Sequence, residues 1–199
     1  MKRSIVTLMA AAVVSMAASL AAQAPQAAQP AAPQTPPKPP FFMTSAGFED
    51  GGILPDKFTA PTPTAFQNSP PLTWTNTPEG TVSFALLLHD PDVAMNHRTD
   101  DVTHWLVHNI PGTATSIAEG AQPVAQLPDG SVQAPNQRKA PGYLGPGARG
   151  VYHHYTFELY ALDTKLTLPV DAPRADVINA IQGHILGRAI LVARYKRKD

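Results

Sequence analysis

The most informative stretch of the sequence is GPGARGVYHHYTFELY, from Gly145 to Tyr160. A loop rich in glycine and proline runs directly into residues in which polar and apolar side chains alternate. Alternate residues of an extended strand share a face, and one face here carries His153, Tyr155, Phe157 and Leu159. The pattern predicts a β-strand that places His153 beside Tyr155 at the mouth of a loop, an arrangement typical of binding sites on β scaffolds.

Other segments predict further strands. Val82–Leu88 is almost continuously apolar, as expected of a central strand that is buried on both faces. Strands are also predicted at Leu72–Trp74, His104–Ile110 and Ala189–Tyr195. Residues 112–147 hold many Gly, Pro, Gln and Asn residues and predict a long loop. This content indicates a mainly β, antiparallel fold.

One helix is predicted before the last strand. Apolar residues recur at helical spacing from Val177 to Ile185, and Pro173 suits a first helical turn. We expect Asp171 to cap this helix and Gly187 to end it. The C-terminal part of the domain is therefore predicted as a helix followed by a short strand.

The N-terminus has the pattern of a secretory signal peptide. Lys2 and Arg3 precede the small apolar run Ile5–Leu20, and Ala24 ends a small-x-small cleavage site. We therefore predict a signal peptide over residues 1–24 and a periplasmic or secreted location. The alternative is a retained membrane anchor, although the run is short and rich in alanine for a spanning helix.

A spacer and one domain follow. Residues 25–40 repeat Pro, Ala and Gln without an apolar face, which predicts a disordered spacer. Residues 41–199 suit a single domain with a sizeable core. The sequence has no cysteine, which excludes structural disulfides and a cysteine-linked lipid anchor.

Total charge is balanced, with 15 basic and 15 acidic residues. No basic stripe is interleaved with aromatic residues, so nucleic acid is not an expected partner. The basic cluster Arg194–Lys198 is interpreted as a solvated tail.

Polar side chains flank three of the predicted strands. Asp90 and Asp92 closely follow the strand Val82–Leu88, and His104 opens the strand His104–Ile110. His153 and Tyr155 lie at the start of the third strand. Alternation places His104 and His108 on one strand face and Trp105 on the other. If the strand ends converge, they form a small pocket of imidazole, phenol, carboxylate and loop amides. The alternative is an ordinary turn at Asp-Pro-Asp and structural histidines.

Such a pocket favours an oxyanion ligand. Imidazole N–H, tyrosine O–H and backbone amide groups are donors, and a zwitterionic phosphate headgroup would also suit the carboxylates. We expect no cofactor and no metal, because His104 and His108 lie too far apart along a strand to share an ion as they would on a helix. No serine has a Gly-x-Ser-x-Gly setting, which disfavours that class of hydrolase.

Six motifs occur in order along the chain: SPPLTW at 69–74, DPD at 90–92, HWLVHNIP at 104–111, GYLGP at 142–146, HHY at 153–155 and YALD at 160–163. Together they resemble the phosphatidylethanolamine-binding protein family, and most closely its bacterial Raf-kinase-inhibitor-like branch. The likeness runs from about Phe48 to Tyr195.

The resemblance implies two antiparallel β-sheets with few helices and an anion pocket at one end. Asp92 would support the loop beside that pocket. The pocket residues it implies are Asp90, His104, Gly145, His153 and Tyr155. Two positions depart from the family pattern: Ala94 replaces a proline and His154 replaces an arginine.

The leading hypothesis is an exported, non-enzymatic binding protein for a phosphate-bearing small ligand or a phospholipid headgroup. A second hypothesis is an inhibitor or interaction module that acts on an exported protease or another protein. A third is a weak phosphoesterase, with an Asp/His pair as general acid and base. After removal of the signal peptide we expect no integral membrane span. The sequence leaves undecided whether the protein has a protein partner or forms a homodimer.

Overall fold

A computed structural model describes residues 38–60, 67–95, 97 and 99–198 of the chain. The predicted signal peptide lies outside these ranges, as does the predicted spacer up to residue 37. The described ranges contain nine strands, one α-helix at Arg174–Ile181 (α1) and a 3-10 turn at Asp56–Phe58.

The strands form two sheets. In chain order they are β1 (Phe42–Thr44), β2 (Gly52–Ile53), β3 (Leu72–Thr75), β4 (Ser83–Asp90), β5 (Val102–Pro111), β6 (Ser116–Ile117), β7 (Val132–Ala134), β8 (His153–Leu162) and β9 (Ile185–Tyr195). The large sheet has the order β2-β9-β8-β4-β5-β7, and the small sheet has the order β1-β3-β6. The described strand pairs are antiparallel, except that β2 pairs parallel to β9. The predicted mainly β fold with two sheets is confirmed.

The main core lies between the two sheets. Trp74 of β3 packs edge-on against Phe84 of β4, with 5.3 Å between ring centroids. Tyr155, Phe157 and Leu159 are all buried in this core, as the alternation of β8 predicts. Aromatic packing of this kind adds to the free energy of burial and holds the small sheet against the large one.

The outer face of the large sheet is covered by α1. Val177 and Ile181 of the helix join a second buried cluster with Leu87 of β4 and Leu106 of β5. The large sheet therefore packs against other structure on both faces. This explains why every residue of β4 from Ser83 to Leu88 is buried and why its sequence is apolar without alternation.

The predicted limits of the helix were wrong at both ends. Pro173, not Asp171, occupies the N-cap, and no side chain caps the first turn. The helix ends at Ile181, because the chain turns at Gly183 with a φ of 82° that favours glycine. The helical segments in the described ranges fall short of the length and apolar content that a bilayer crossing requires.

The final strand is longer than predicted, because it begins at Ile185 and takes in Gly187. Gly187 pairs with Ala161 of β8 and does not end a helix. A Cβ atom at this position would lie 2.7 Å from Cγ of Pro78. Glycine is therefore needed here for close packing.

Candidate functional site

The candidate site forms where three neighbouring strands of the large sheet meet. β4 runs antiparallel to both β5 and β8, so its last residues lie beside the first residues of its neighbours: His89 pairs with Thr156 of β8, and Asp90 pairs with Val102 of β5. A cavity of about 360 Å³ lies at this edge. Five of the six predicted site residues line it: Asp90, His104, Gly145, His153 and Tyr155.

A buried carboxylate orients one histidine of the cavity. Asp90 is 3% exposed, and its Oδ2 lies 2.7 Å from Nδ1 of His153. Its other oxygen accepts a hydrogen bond from the backbone N–H of Asp92 at 3.1 Å. Because Nδ1 of His153 is engaged by Asp90, Nε2 is the ring nitrogen left to contact a ligand.

A β-bulge directs the second histidine into the cavity. Leu88 pairs with Trp105 and His89 pairs with Thr103, so His104 is the extra residue on β5. The ring of His104 lies edge-on to Tyr155, 5.1 Å between centroids, and Trp105 joins the same core as Tyr155. The prediction that His104 and Trp105 lie on opposite strand faces was therefore wrong.

His104 is held in its neutral form. Burial lowers its pKa, although the hydrogen bond between its Nδ1 and the Leu144 carbonyl, 2.7 Å long, opposes this shift. A carbonyl oxygen only accepts, so Nδ1 carries the proton and Nε2 presents a lone pair. His104 therefore supplies an acceptor and not the N–H donor that the sequence suggested.

Tyr155 forms the floor between the two histidines. Its ring stacks on His153 with 6.4 Å between centroids. Burial and the nearby Asp90 carboxylate raise its pKa far above the usual value, so the phenol keeps its proton. The phenol oxygen accepts a hydrogen bond from the backbone N–H of Ala148 at 3.1 Å, which ties the glycine-rich loop to β8.

Gly145 brings the loop into contact with a neighbouring segment. Its N–H donates to Oε1 of Gln67, so this amide is already used within the protein. The next residue, Pro146, accepts a hydrogen bond from the N–H of Ala60 at 2.9 Å. A Cβ atom on Gly145 would lie 2.6 Å from the carbonyl carbon of Thr59 and 2.8 Å from the nitrogen of Ala60.

Gly145→Ala is therefore expected to destabilise the protein by about 1–3 kcal/mol, because backbone atoms must move apart. Gly147→Ala is a matched control in the same loop. Its Cβ would meet only the Cβ of Ala60, at 3.9 Å, so we expect a change within about 0.5 kcal/mol. Urea unfolding of both variants measures the difference, and equal stabilities would contradict the assigned packing role.

Asp92, the sixth predicted residue, does not line the cavity. Its Oδ2 accepts from the backbone N–H of His154 at 2.6 Å and lies 2.9 Å from the Nδ1 of that ring. The backbone hydrogen bond lowers the pKa of Asp92. The His154 side chain is 54% exposed, in agreement with the alternation. Asp92 thus joins the end of β4 to the start of β8.

Three arginines at the cavity were not predicted as site residues. Arg138 follows β7, Arg149 precedes β8, and Arg197 follows β9, yet all three line the cavity. The interpretation of Arg194–Lys198 as a solvated tail is therefore wrong for Arg197, whose N–H also donates to the carbonyl of Ala148 at 2.8 Å. Of the three, only Arg149 lies inside the GPGARG loop, which the sequence predicts to border a binding site.

Metal binding has no support from the described ranges, where no group of three or more His, Cys, Asp or Glu side chains could hold an ion. The cavity instead combines a hydrogen-bonded Asp–His pair, a neutral histidine, a phenol and arginine charges. This set can bind and orient an anion.

Comparison with known proteins identifies the family. The sequence model of the phosphatidylethanolamine-binding protein family matches residues 44–196. The chain belongs to this family. A UPF0098 protein of Methanothermobacter thermautotrophicus is 40% identical over 155 residues, which cover 78% of this chain and 98% of the relative. The predicted family resemblance is confirmed.

Two further comparisons agree with the phosphatidylethanolamine-binding protein fold. The crystal structure of E. coli YbcL, described as a member of the mammalian family of these proteins, superposes with a TM-score of 0.70. It is 31% identical, over 79% of this chain and 99% of YbcL. A Mycobacterium tuberculosis relative named as a candidate lipoprotein, LppC, is 33% identical over 159 residues, 79% of this chain and 73% of the relative.

Proposed function

We propose that this member of the phosphatidylethanolamine-binding protein family is an exported binding protein whose cavity holds a phosphate-bearing small ligand or a phospholipid headgroup. The observation that carries the proposal is the pairing of Asp90 with His153 in a cavity that three arginines also line. His153 offers a ring nitrogen in a fixed direction, and the arginines offer charge-assisted hydrogen bonds to phosphate oxygens.

The size of the cavity supports a small ligand. Its volume of about 360 Å³ is near the lower end of the range for small-molecule sites. Tyr155 and His104 close its inner side, and both are almost fully buried. A phosphoryl group with a small substituent fits these limits, whereas the acyl chains of a whole phospholipid would have to stay outside.

We propose that binding occurs without turnover. The described residues lining the cavity include no serine, threonine or lysine that could act as a nucleophile. The carboxylate of Asp90 is occupied by His153 and by the backbone of Asp92. These contacts favour orientation of the histidine over attack on phosphorus.

The proposed periplasmic or secreted location is supported by the basic, apolar and small-residue pattern of residues 1–24. The name of the mycobacterial relative as a candidate lipoprotein points in the same direction.

Titration of ¹⁵N-labelled protein with inorganic phosphate tests the proposed site by NMR. We expect the largest amide shifts in the loop at Gly145, Gly147 and Ala148 and at the start of β8. Shifts elsewhere, or none at millimolar phosphate, would overturn the proposal.

A further inference from the structure

We propose that a second cavity binds a small apolar amine, a molecule with an apolar body and one terminal ammonium group. This cavity has a volume of about 350 Å³ and lies between β5, residues 116–122 and residues 127–131. It shares no described lining residue with the cavity that holds Asp90 and His153. The inference is therefore independent of the proposed function.

The floor of this second cavity is apolar and belongs to β5. Trp105, Val107 and Ile110 line it, and all three are buried members of the main core. Ile117 and Leu127 add apolar side chains from the two flanking segments. The volume lies within the range of small-molecule sites, and such a surface favours the burial of an apolar ligand body.

Hydrogen bonds hold one wall of the second cavity in place. The side chain of Gln133 is fully buried, and its Oε1 accepts from Nε1 of Trp105 at 2.7 Å. Its Nε2 donates to the carbonyls of Gln122 and Val124, both at 2.6 Å. These bonds fix the indole ring and the segment beside it, so the cavity is formed before a ligand binds.

A buried hydroxyl group at the second cavity has no partner. Ser131 lines the cavity and is 1% exposed, and its Oγ forms no hydrogen bond with the residues that the structure describes. Buried hydroxyl groups are normally paired, because an unpaired one costs free energy. Rotation about the Cα–Cβ bond of Ser131 allows Oγ to accept a hydrogen bond from a ligand.

The charged side chains at the second cavity are acidic. Within the described part of the chain they are Glu119 and Asp129. Glu119 accepts hydrogen bonds from Lys57 at 3.0 Å and from Asn68 at 2.7 Å, so its charge is already compensated. Asp129 is exposed, and its Oδ1 accepts from the backbone N–H of Ser131 at 2.9 Å.

An apolar amine matches these features together. The bond between Asp129 and the backbone of Ser131 holds the carboxylate close to the unpaired hydroxyl group. An ammonium group can donate to both, while the apolar body of the ligand covers Trp105 and its neighbours. A ligand with a carboxylate in the same place would be repelled by Asp129.

NMR titration with three matched probes tests the inference. At pH 7, 4-phenylbutylamine is a cation, 4-phenylbutanol is neutral and 4-phenylbutyrate is an anion, and the three share one apolar body. We expect the indole N–H signal of Trp105 to shift more than that of Trp74, which does not line the cavity. The amine should bind with a dissociation constant of about 1 mM, about fivefold more tightly than the alcohol and at least about tenfold more tightly than the acid.

Two variants separate the charge from the hydroxyl group. Asp129→Asn removes the charge but keeps an oxygen that can accept from the N–H of Ser131. It should weaken the amine about threefold to fivefold and leave the alcohol unchanged. Ser131→Ala should weaken the amine about twofold to threefold and keep the fold, because Oγ has no hydrogen bond to lose among the described residues.

Asp50→Asn is the matched control. Asp50 is also exposed, and its Oδ1 accepts from the backbone N–H of Val192 at 2.9 Å, but it does not line the second cavity. Amine binding should be unchanged in this variant. The inference is overturned if no probe shifts the Trp105 signal at about 10 mM, if the acid binds as tightly as the amine, or if Asp129→Asn behaves like Asp50→Asn. None of these results bears on anion binding in the other cavity.

Discussion

Asp90→Ala is expected to weaken methyl phosphate binding by roughly 100-fold while the protein stays folded. The carboxylate is buried and holds His153 by a contact of 2.7 Å, so its removal frees the ring and leaves a cavity-lining nitrogen without a partner. It also releases the backbone N–H of Asp92. Calorimetry measures the affinity, and circular dichroism confirms the fold.

A second Asp–His pair in the same protein provides the control. Asp163 and His184 also lie 2.7 Å apart, but both side chains are about half exposed and neither lines the cavity. Asp163→Ala should leave the affinity for methyl phosphate unchanged, because an exposed ion pair contributes little. If Asp90→Ala and Asp163→Ala behave alike, Asp90 does not orient a ligand-binding histidine.

The stability of the protein is expected to fall as the pH decreases from 7 to 5. His108 is fully buried, and neither of its ring nitrogens has a hydrogen-bond partner among the described residues. Burial lowers its pKa, and the side chain of the adjacent Asn109 opposes this shift only in part. Burial also lowers the pKa of His104.

The direction of this pH effect follows from the number of protons that the folded and unfolded states bind. Below about pH 6.5 the unfolded chain protonates these histidines while the folded protein keeps them neutral, so acid favours unfolding. Each histidine lowers the free energy of unfolding by up to about 2 kcal/mol between pH 7 and pH 5. Urea unfolding at several pH values measures how the free energy of unfolding changes with pH. His108→Leu should reduce this change by up to about half. An unchanged pH dependence in this variant would contradict the role given to His108.

The central strands β4 and β8 could be predicted because their burial patterns are local. Alternation in β8 follows from the rule that every second side chain shares a face, and His153 and Tyr155 accordingly lie side by side. The apolar run of β4 likewise reflects coverage on both faces. These features depend on neighbouring residues in one segment, which a sequence reveals directly.

Features that depend on contacts between segments could not be predicted in this way. The bulge at His104 arises from the register of β5 against β4. Ile185 belongs to β9 and not to the predicted helix, because it pairs with Leu162 in the sheet. Arg138 and Arg197 reach the cavity from distant parts of the chain, and no spacing relates them.

We propose that an anion occupies the cavity between Asp90, His104 and His153. A crystal structure of the protein with tungstate, located by its anomalous signal, tests this proposal. We expect a single strong site within hydrogen-bond distance of Nε2 of His153 and close to Arg149. An empty cavity, with tungstate bound only at other surfaces, would contradict it.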